Sequence, residues 1–75
     1  MSLTFTMAQL IIVDTIIAHK GCNWREIKAA VRIHGYEPRN WLQVRGPLQA
    51  LINEKKVCRY EERYIICDHE PRAST

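Results

Sequence analysis

Glycine and proline residues divide the first half of this chain into segments that have room only for short helices. Gly21 and Gly35 are of the type that ends helices, and Pro38 lacks a backbone donor and forces the residue before it into an extended conformation. A chain of 75 residues punctuated in this way forms one small domain with a modest core. Such a core leaves little room for a cofactor-binding sheet or a deep substrate cleft.

Capping signatures mark where the first two helices begin. Two pairs of residues have the spacing of a capping box, in which a small polar residue precedes Glu or Gln by three positions: Thr6 with Gln9, and Asn23 with Glu26. We expect a first helix that ends at about residue 19 and a second helix over 24–34.

A third helix is expected after Asn40, which is a third potential cap. The helix would run from about Trp41 to Lys55, but Pro47 lies inside it and crowds the carbonyl of Gln43. The sequence therefore predicts either a kink at Pro47 or a separate opening turn, with the main helix beginning near Pro47.

After Lys56 the apolar pattern changes from helical spacing to alternation. Residues 57–60 and 64–67 are rich in β-forming side chains and flank an acidic turn at 61–63, which predicts a small hairpin. Residues 68–75 have no apolar pattern, so we expect a domain over 1–67 and a flexible C-terminal tail. The start of the chain has no signal-peptide character, and its longest apolar run is too short to span a membrane.

Positive charge is concentrated in the middle of the chain. The net charge is +3, and residues 20–45 contain six cations against two carboxylates. Arg25, Lys28 and Arg32 fall on one stripe of the second helix, where they repel one another. An anionic partner explains this stripe, and the alternative is an ordinary solvated helix face.

The third helix carries a pattern that points to a known family. Arg45 precedes the pair Leu48 and Leu51, and the segment 40–57 leads directly into the first hairpin strand. Together with the other two helices, over about residues 6–67, this arrangement resembles the winged helix-turn-helix family. The resemblance implies a mainly α fold with a small β-hairpin, in the order α1-α2-α3-β-β. It also implies that the third helix enters the major groove as the recognition helix and that the hairpin is the wing.

We therefore expect a small winged-helix DNA-binding protein, a transcriptional regulator or accessory factor of prokaryotic or phage type. We expect no catalytic activity, since no nucleophile, metal or phosphate-loop constellation stands out, and no cofactor. The residues expected to contact DNA fall into three groups: phosphate-binding Arg25, Lys28 and Arg32; groove-facing Arg39, Asn40, Gln43 and Arg45; and backbone-flanking Lys55, Lys56 and Arg59.

Two alternatives to duplex DNA stay open. The acidic turn at 61–63 and the small residues along the third helix favour a protein-interaction module, an inhibitor or adaptor that docks on a larger protein. Double-stranded RNA or a nucleic-acid junction is not distinguished from duplex DNA by these residues.

The first helix has more apolar residues than one face can hold. We expect Ile12, Val13 and Ile16 to form a homodimer interface, as in winged-helix regulators by resemblance. The alternative is that they pack under the N-terminal segment 3–5 or under the wing.

The cysteines and aromatic residues receive structural interpretations. Three cysteines cannot all pair and do not suggest a disulfide framework, so we expect a reducing cytoplasm, although Cys58 and Cys67 lie across the hairpin and would permit a redox switch. His19 with Cys22 and Cys67 with His69 match no common zinc signature. Two aromatic pairs are expected to pack: Trp24 and Trp41 as core anchors, and Tyr60 and Tyr64 across the hairpin.

Overall fold

The computed structural model describes residues 3–67 as three helices followed by a two-stranded antiparallel hairpin. The elements are α1 (Phe5–His19), α2 (Trp24–Ile33), α3 (Leu42–Asn53), β1 (Val57–Tyr60) and β2 (Arg63–Ile66). The predicted α1-α2-α3-β-β order is confirmed. The predicted tail, 68–75, lies outside the described residues. Within residues 3–67, no helix combines the length and the apolar character needed to cross a membrane.

The first helix begins two residues before the predicted start. Thr4, not Thr6, is the N-cap, and its hydroxyl oxygen accepts a hydrogen bond from the Met7 amide at 3.1 Å. The chain leaves the helix through Lys20, in the left-handed conformation with φ of 53°, and Gly21 follows with φ of 110°. A side chain at Gly21 would be strained at that φ and would meet Ile65 at 3.2 Å, so glycine allows this turn to lie against the hairpin.

The second helix begins with the predicted capping box. The Asn23 side chain accepts from the Glu26 amide at 2.8 Å, and the Asn23 amide donates to the Glu26 carboxylate at 3.0 Å. The two bonds give partners to two backbone amides that otherwise have none at the start of a helix. This local signature predicts the start of α2 correctly.

The third helix is continuous through Pro47, so the predicted separate opening turn is wrong. Proline disfavours helical backbone at the residue before it because its ring clashes with that residue's Cβ, and Gly46 has no Cβ. Pro47 also removes the donor that would reach the carbonyl of Gln43, which costs α3 one hydrogen bond without ending it. The pair Gly46 and Pro47 is therefore compatible with an unbroken helix.

The first helix lies against both other helices and the second strand, and its buried face is wide. Ile12 and Ile16 are 0% and 1% exposed, and Val13 is half-buried against the same core. The predicted homodimer role of Ile12 and Ile16 is therefore wrong, because the other elements of the same chain already cover them. Leu10 and Ile17, each 60% exposed, lie on the outward side of α1 instead.

The hairpin is attached to the helices through the turn after α1. Cys22 and Tyr64 exchange two backbone hydrogen bonds, with N···O distances of 3.1 and 2.7 Å. In the hairpin register Arg59 is opposite Tyr64 and Tyr60 is opposite Arg63. Tyr64 is consequently buried and Tyr60 exposed on the other face, so the predicted packing of the two tyrosines across the hairpin is wrong.

Truncation of two neighbouring isoleucines on α1 tests this packing. We expect Ile16→Ala to lower the free energy of unfolding by about 2–5 kcal/mol, because it opens a cavity in the core. The matched variant Ile17→Ala, on the exposed side, should change it by less than about 0.5 kcal/mol. Urea denaturation followed by circular dichroism measures both. Equal losses in the two variants would contradict the placement of α1.

Candidate nucleic-acid interface

A cleft opens between the start of α2, the first half of α3 and the hairpin. Its volume is about 570 Å³. Four cations from three different elements line it: Arg25 and Lys28 from α2, Arg45 from α3 and Arg59 from β1. The remaining lining residues are Asn23, Trp24, Glu62 and Tyr64.

A second cavity of about 110 Å³ adjoins the cleft and shares Arg45, Arg59 and Tyr64 with it. Leu48 and Ile52 of α3 contribute an apolar part to this cavity. We call the two cavities together the cationic groove. The groove is lined by α2, α3 and the hairpin, and the buried residues in its lining are Leu48 of α3 and Tyr64 of β2.

The groove's positive charges are not neutralised by nearby carboxylates. Within residues 3–67 the one salt bridge joins Lys56 and Glu54, at 3.6 Å and on the surface. Glu62, at the tip of the hairpin, lines the cleft but lies outside salt-bridge distance of its cations. The cations are therefore available to bind an external anion. Until an anion binds, the cations repel one another.

Two tryptophans hold three cations on their ring faces, and two of these three, Lys28 and Arg45, line the groove. The rings of Trp24 and Trp41 meet edge to face, with centroids 6.1 Å apart. The Arg45 guanidinium lies 5.1 Å from the Trp24 centroid, and the Arg32 guanidinium lies 5.3 Å from that of Trp41. The Lys28 ammonium is 5.9 Å from the same Trp41 ring. Such contacts contribute roughly 0.5–1 kcal/mol each at exposed sites and restrict where the charged groups lie.

Each of these stacks crosses between helices. A residue one turn along a helix is the usual neighbour of a ring, so Lys28 would lie by Trp24 and Arg45 by Trp41. The structure shows the reverse pairing, in which Lys28 reaches Trp41 and Arg45 reaches Trp24. The tryptophans are half-buried and pack against the core as predicted, and they also join α2 to α3 through charged side chains.

The ten predicted DNA-binding residues do not all lie at the groove. Arg25, Lys28, Arg45 and Arg59 line the groove, and Arg32 adjoins it through Trp41. The other five are exposed but lie outside the groove's lining: Arg39, Asn40, Gln43, Lys55 and Lys56.

Asn40 and Lys56 are partly engaged in other contacts. The side-chain oxygen of Asn40 accepts from the Leu42 amide at 2.9 Å and so serves the start of α3. Lys56 belongs to the surface salt bridge with Glu54. Neither side chain is wholly free for a ligand.

Sequence reasoning did not identify Asn23, Glu62 and Tyr64 as lining the site. They come from separate parts of the chain and meet only because the hairpin folds back against the turn after α1. No spacing rule along the chain could have found them. The one available signal was the alternation in β2, which makes Tyr64 a candidate for the buried face.

The three cysteines lie in two different settings. Cys58 and Cys67, the pair that by sequence would permit a redox switch across the hairpin, form a disulfide with Cα atoms 5.5 Å apart, although the sequence did not suggest a disulfide framework. Cys22 is a buried free thiol, and burial, together with the smaller effect of the Glu26 charge, raises its pKa to about 11. Within residues 3–67 no three His, Cys, Asp or Glu side chains are grouped to hold a metal ion, and His69 lies outside that range.

Comparison of this chain with family models, with curated proteins and with solved structures found no match.

A double-mutant cycle tests whether the rings hold the cations. We expect Arg32→Gln and Trp41→Leu to be coupled by about 0.5–1 kcal/mol in the free energy of unfolding, because each removes the same cation–π contact. The matched cycle pairs Arg25→Gln with Trp41→Leu and should give a coupling near zero, since no ring contact holds Arg25 within the described chain. Urea denaturation of the six proteins supplies the values. Equal coupling in both cycles would contradict the stacking.

Proposed function

We propose that this protein binds double-stranded DNA as a winged-helix regulator or accessory factor, with the cationic groove as its principal contact to the phosphate backbone. The observation that carries the proposal is the convergence of four cations from α2, α3 and β1 on one groove, where no carboxylate of residues 3–67 lies within salt-bridge distance of them. Phosphate contacts of this kind supply most non-specific affinity for DNA.

The groove's shape suits one sugar–phosphate strand. Arg45 on α3 and Arg59 on β1 belong to opposite sides, and an anion between them would receive hydrogen bonds from both guanidinium groups. Arg25 and Lys28 extend the positive lining toward the start of α2, so consecutive phosphates would meet successive cations. In this arrangement the hairpin contributes through Arg59 of β1.

The exposed ridge of α3 is then the part that approaches the bases. Gln43 is exposed on it and has both a donor and an acceptor, the combination that recognises an adenine edge. At Gly46 a Cβ would meet no atom within 4 Å, so the ridge is low there and allows close approach of a base pair. Arg39 and Asn40 precede α3 and would lie at the edge of the same surface.

The acidic tip of the hairpin limits the number of phosphate contacts. Glu61, with φ of 58°, and Glu62 form the turn, and Glu62 lines the cleft itself. Two carboxylates at the tip would repel a second phosphate strand, so we assign the wing a supporting role beside α3.

A protein-interaction module is the second candidate function. It is favoured by the acidic turn and by Leu10 and Ile17, the exposed apolar side chains on the outward side of α1. The cytoplasmic location, like the regulatory role, belongs to the proposal. Retention of random-sequence duplex DNA in a gel shift at low salt separates the two functions, because a cationic groove binds DNA of any sequence and an acidic docking surface does not.

The salt dependence of DNA binding tests the role of the groove. We expect affinity to fall by orders of magnitude between about 50 and 200 mM salt, and Arg45→Ala and Arg59→Ala each to reduce the slope of log affinity against log salt by about 1. Lys56→Ala removes the same charge outside the groove and should leave the slope nearly unchanged. Fluorescence anisotropy of a labelled duplex measures all three. An equal effect of the three variants would contradict the groove as the contact surface.

Removing the acidic charge in the cleft should strengthen binding. We expect Glu62→Gln to raise affinity for duplex DNA by roughly two- to tenfold at low salt, because a carboxylate near a phosphate strand opposes binding. Asp14→Asn changes the net charge equally but lies on α1, outside the groove, and serves as the control. Equal gains in the two variants would mean that net charge, and not the position of Glu62, governs binding.

A further inference from the structure

We propose that the disulfide between Cys58 and Cys67 is a reversible redox clamp that orders the hairpin and so sets the affinity of the cationic groove. This regulation rests on the proposed DNA-binding function. The clamp follows from the hairpin register, in which Cys58 is opposite Ile65, two residues before Cys67. The two cysteines therefore lie diagonally on one face of the hairpin, with Cα atoms 5.5 Å apart, within the range that a disulfide bridges without moving the backbone.

The disulfide closes the open end of a small element. Each strand has four residues, and the turn at Glu61 and Glu62 closes the other end. Two-stranded hairpins of this size are marginally stable by themselves in water. The Cys67 amide also donates to the Lys56 carbonyl at 3.1 Å, so the disulfide and this hydrogen bond fix the same end of the hairpin.

The ordering of the hairpin bears directly on the groove. Arg59 follows Cys58 in β1 and is opposite Tyr64 in β2. Arg59 and Tyr64 each line both cavities of the groove. Tyr64 has its own anchor in the two backbone bonds to Cys22. Val57 holds the start of β1 in the core, but the rest of β1, including Arg59, is exposed. Opening the disulfide would release this exposed part of β1 more than β2, so one wall of the groove would lose its fixed position.

Solvent exposure favours thiol–disulfide exchange at Cys58 and Cys67, whereas burial and a raised thiol pKa disfavour it at Cys22. Cys58 is exposed and Cys67 half-buried, so a small thiol or disulfide reaches them from solvent. Cys22 is fully buried, and its raised pKa leaves little of the thiolate that carries out exchange. The third cysteine therefore does not compete with the pair.

The exchange balances with a low-molecular-weight thiol as the reductant. A thiolate attacks one sulfur of the Cys58–Cys67 bond, the sulfur–sulfur bond breaks, and the other cysteine leaves as a thiolate that takes a proton. A second thiol attacks the mixed disulfide and releases the first cysteine. Two small thiols are oxidised to one small disulfide while the protein disulfide is reduced to two thiols, and a small disulfide drives the reverse reaction.

The experiment equilibrates the full chain in buffers of defined glutathione to glutathione disulfide ratio. Alkylation and mass spectrometry give the fraction of disulfide, and anisotropy gives the affinity for a labelled duplex. Hydrogen exchange gives the order of the segment 57–67. On reduction we expect exchange in the hairpin to accelerate on the order of tenfold or more, with α1 unchanged. We expect DNA affinity to fall about tenfold, as for one lost charge-assisted hydrogen bond.

The double variant Cys58→Ser with Cys67→Ser is the matched control. It should exchange like the reduced protein, bind DNA like the reduced protein and respond to neither reagent. The clamp would be overturned if the disulfide failed to form at every ratio, or if oxidised and reduced protein exchanged and bound alike. Redox-dependent hairpin exchange with no DNA binding in either state would support the clamp and overturn the proposed function.

Discussion

The rest of the structure depends on two backbone hydrogen bonds between Cys22 and Tyr64, which are far apart in the sequence. They join the turn after α1 to the second strand of the hairpin. Gly21 makes the approach feasible because its positive φ and missing side chain leave room for Ile65. Through this bridge Tyr64 becomes part of the core and the hairpin becomes a wall of the groove. Without this bridge the hairpin would not face α3 across the groove, and the cations of α2 and β1 would not converge.

The groove shows how a small domain keeps several like charges close together. Carboxylate partners would neutralise the cations, but within residues 3–67 the groove's cations have none at salt-bridge distance. The faces of Trp24 and Trp41 take that place, because a ring attracts a cation without cancelling its charge. The same rings pack against the core, so the positions of the charges depend on how α2 and α3 are each placed against α1. Stability and surface potential are thus linked at one pair of side chains.

Sequence reasoning succeeded where the relevant physics is local. The capping box of α2, the end of α1 at Gly21 and the change to strands after Lys56 each depend on neighbours within a few residues. It failed where tertiary packing decides. A helical wheel shows the directions in which side chains point, but not how many other elements surround the helix. It therefore predicts an interface at Ile12 and Ile16, which the chain itself covers. The charge pattern located the cations of the site, but their crossed ring partners and Tyr64 depend on how the elements pack.

The pair Gly46 and Pro47 makes the continuity of α3 depend on tertiary packing. An ordinary helix commits every interior carbonyl to its own ladder, whereas here the carbonyl of Gln43 is deprived of the amide that residue 47 would supply. Pro47 and the next residue, Leu48, are both buried, so the rest of the domain covers the turn of α3 that lacks this bond. The helix that would approach DNA is therefore least self-sufficient near its middle, where burial in the core and not its own hydrogen bonding maintains it.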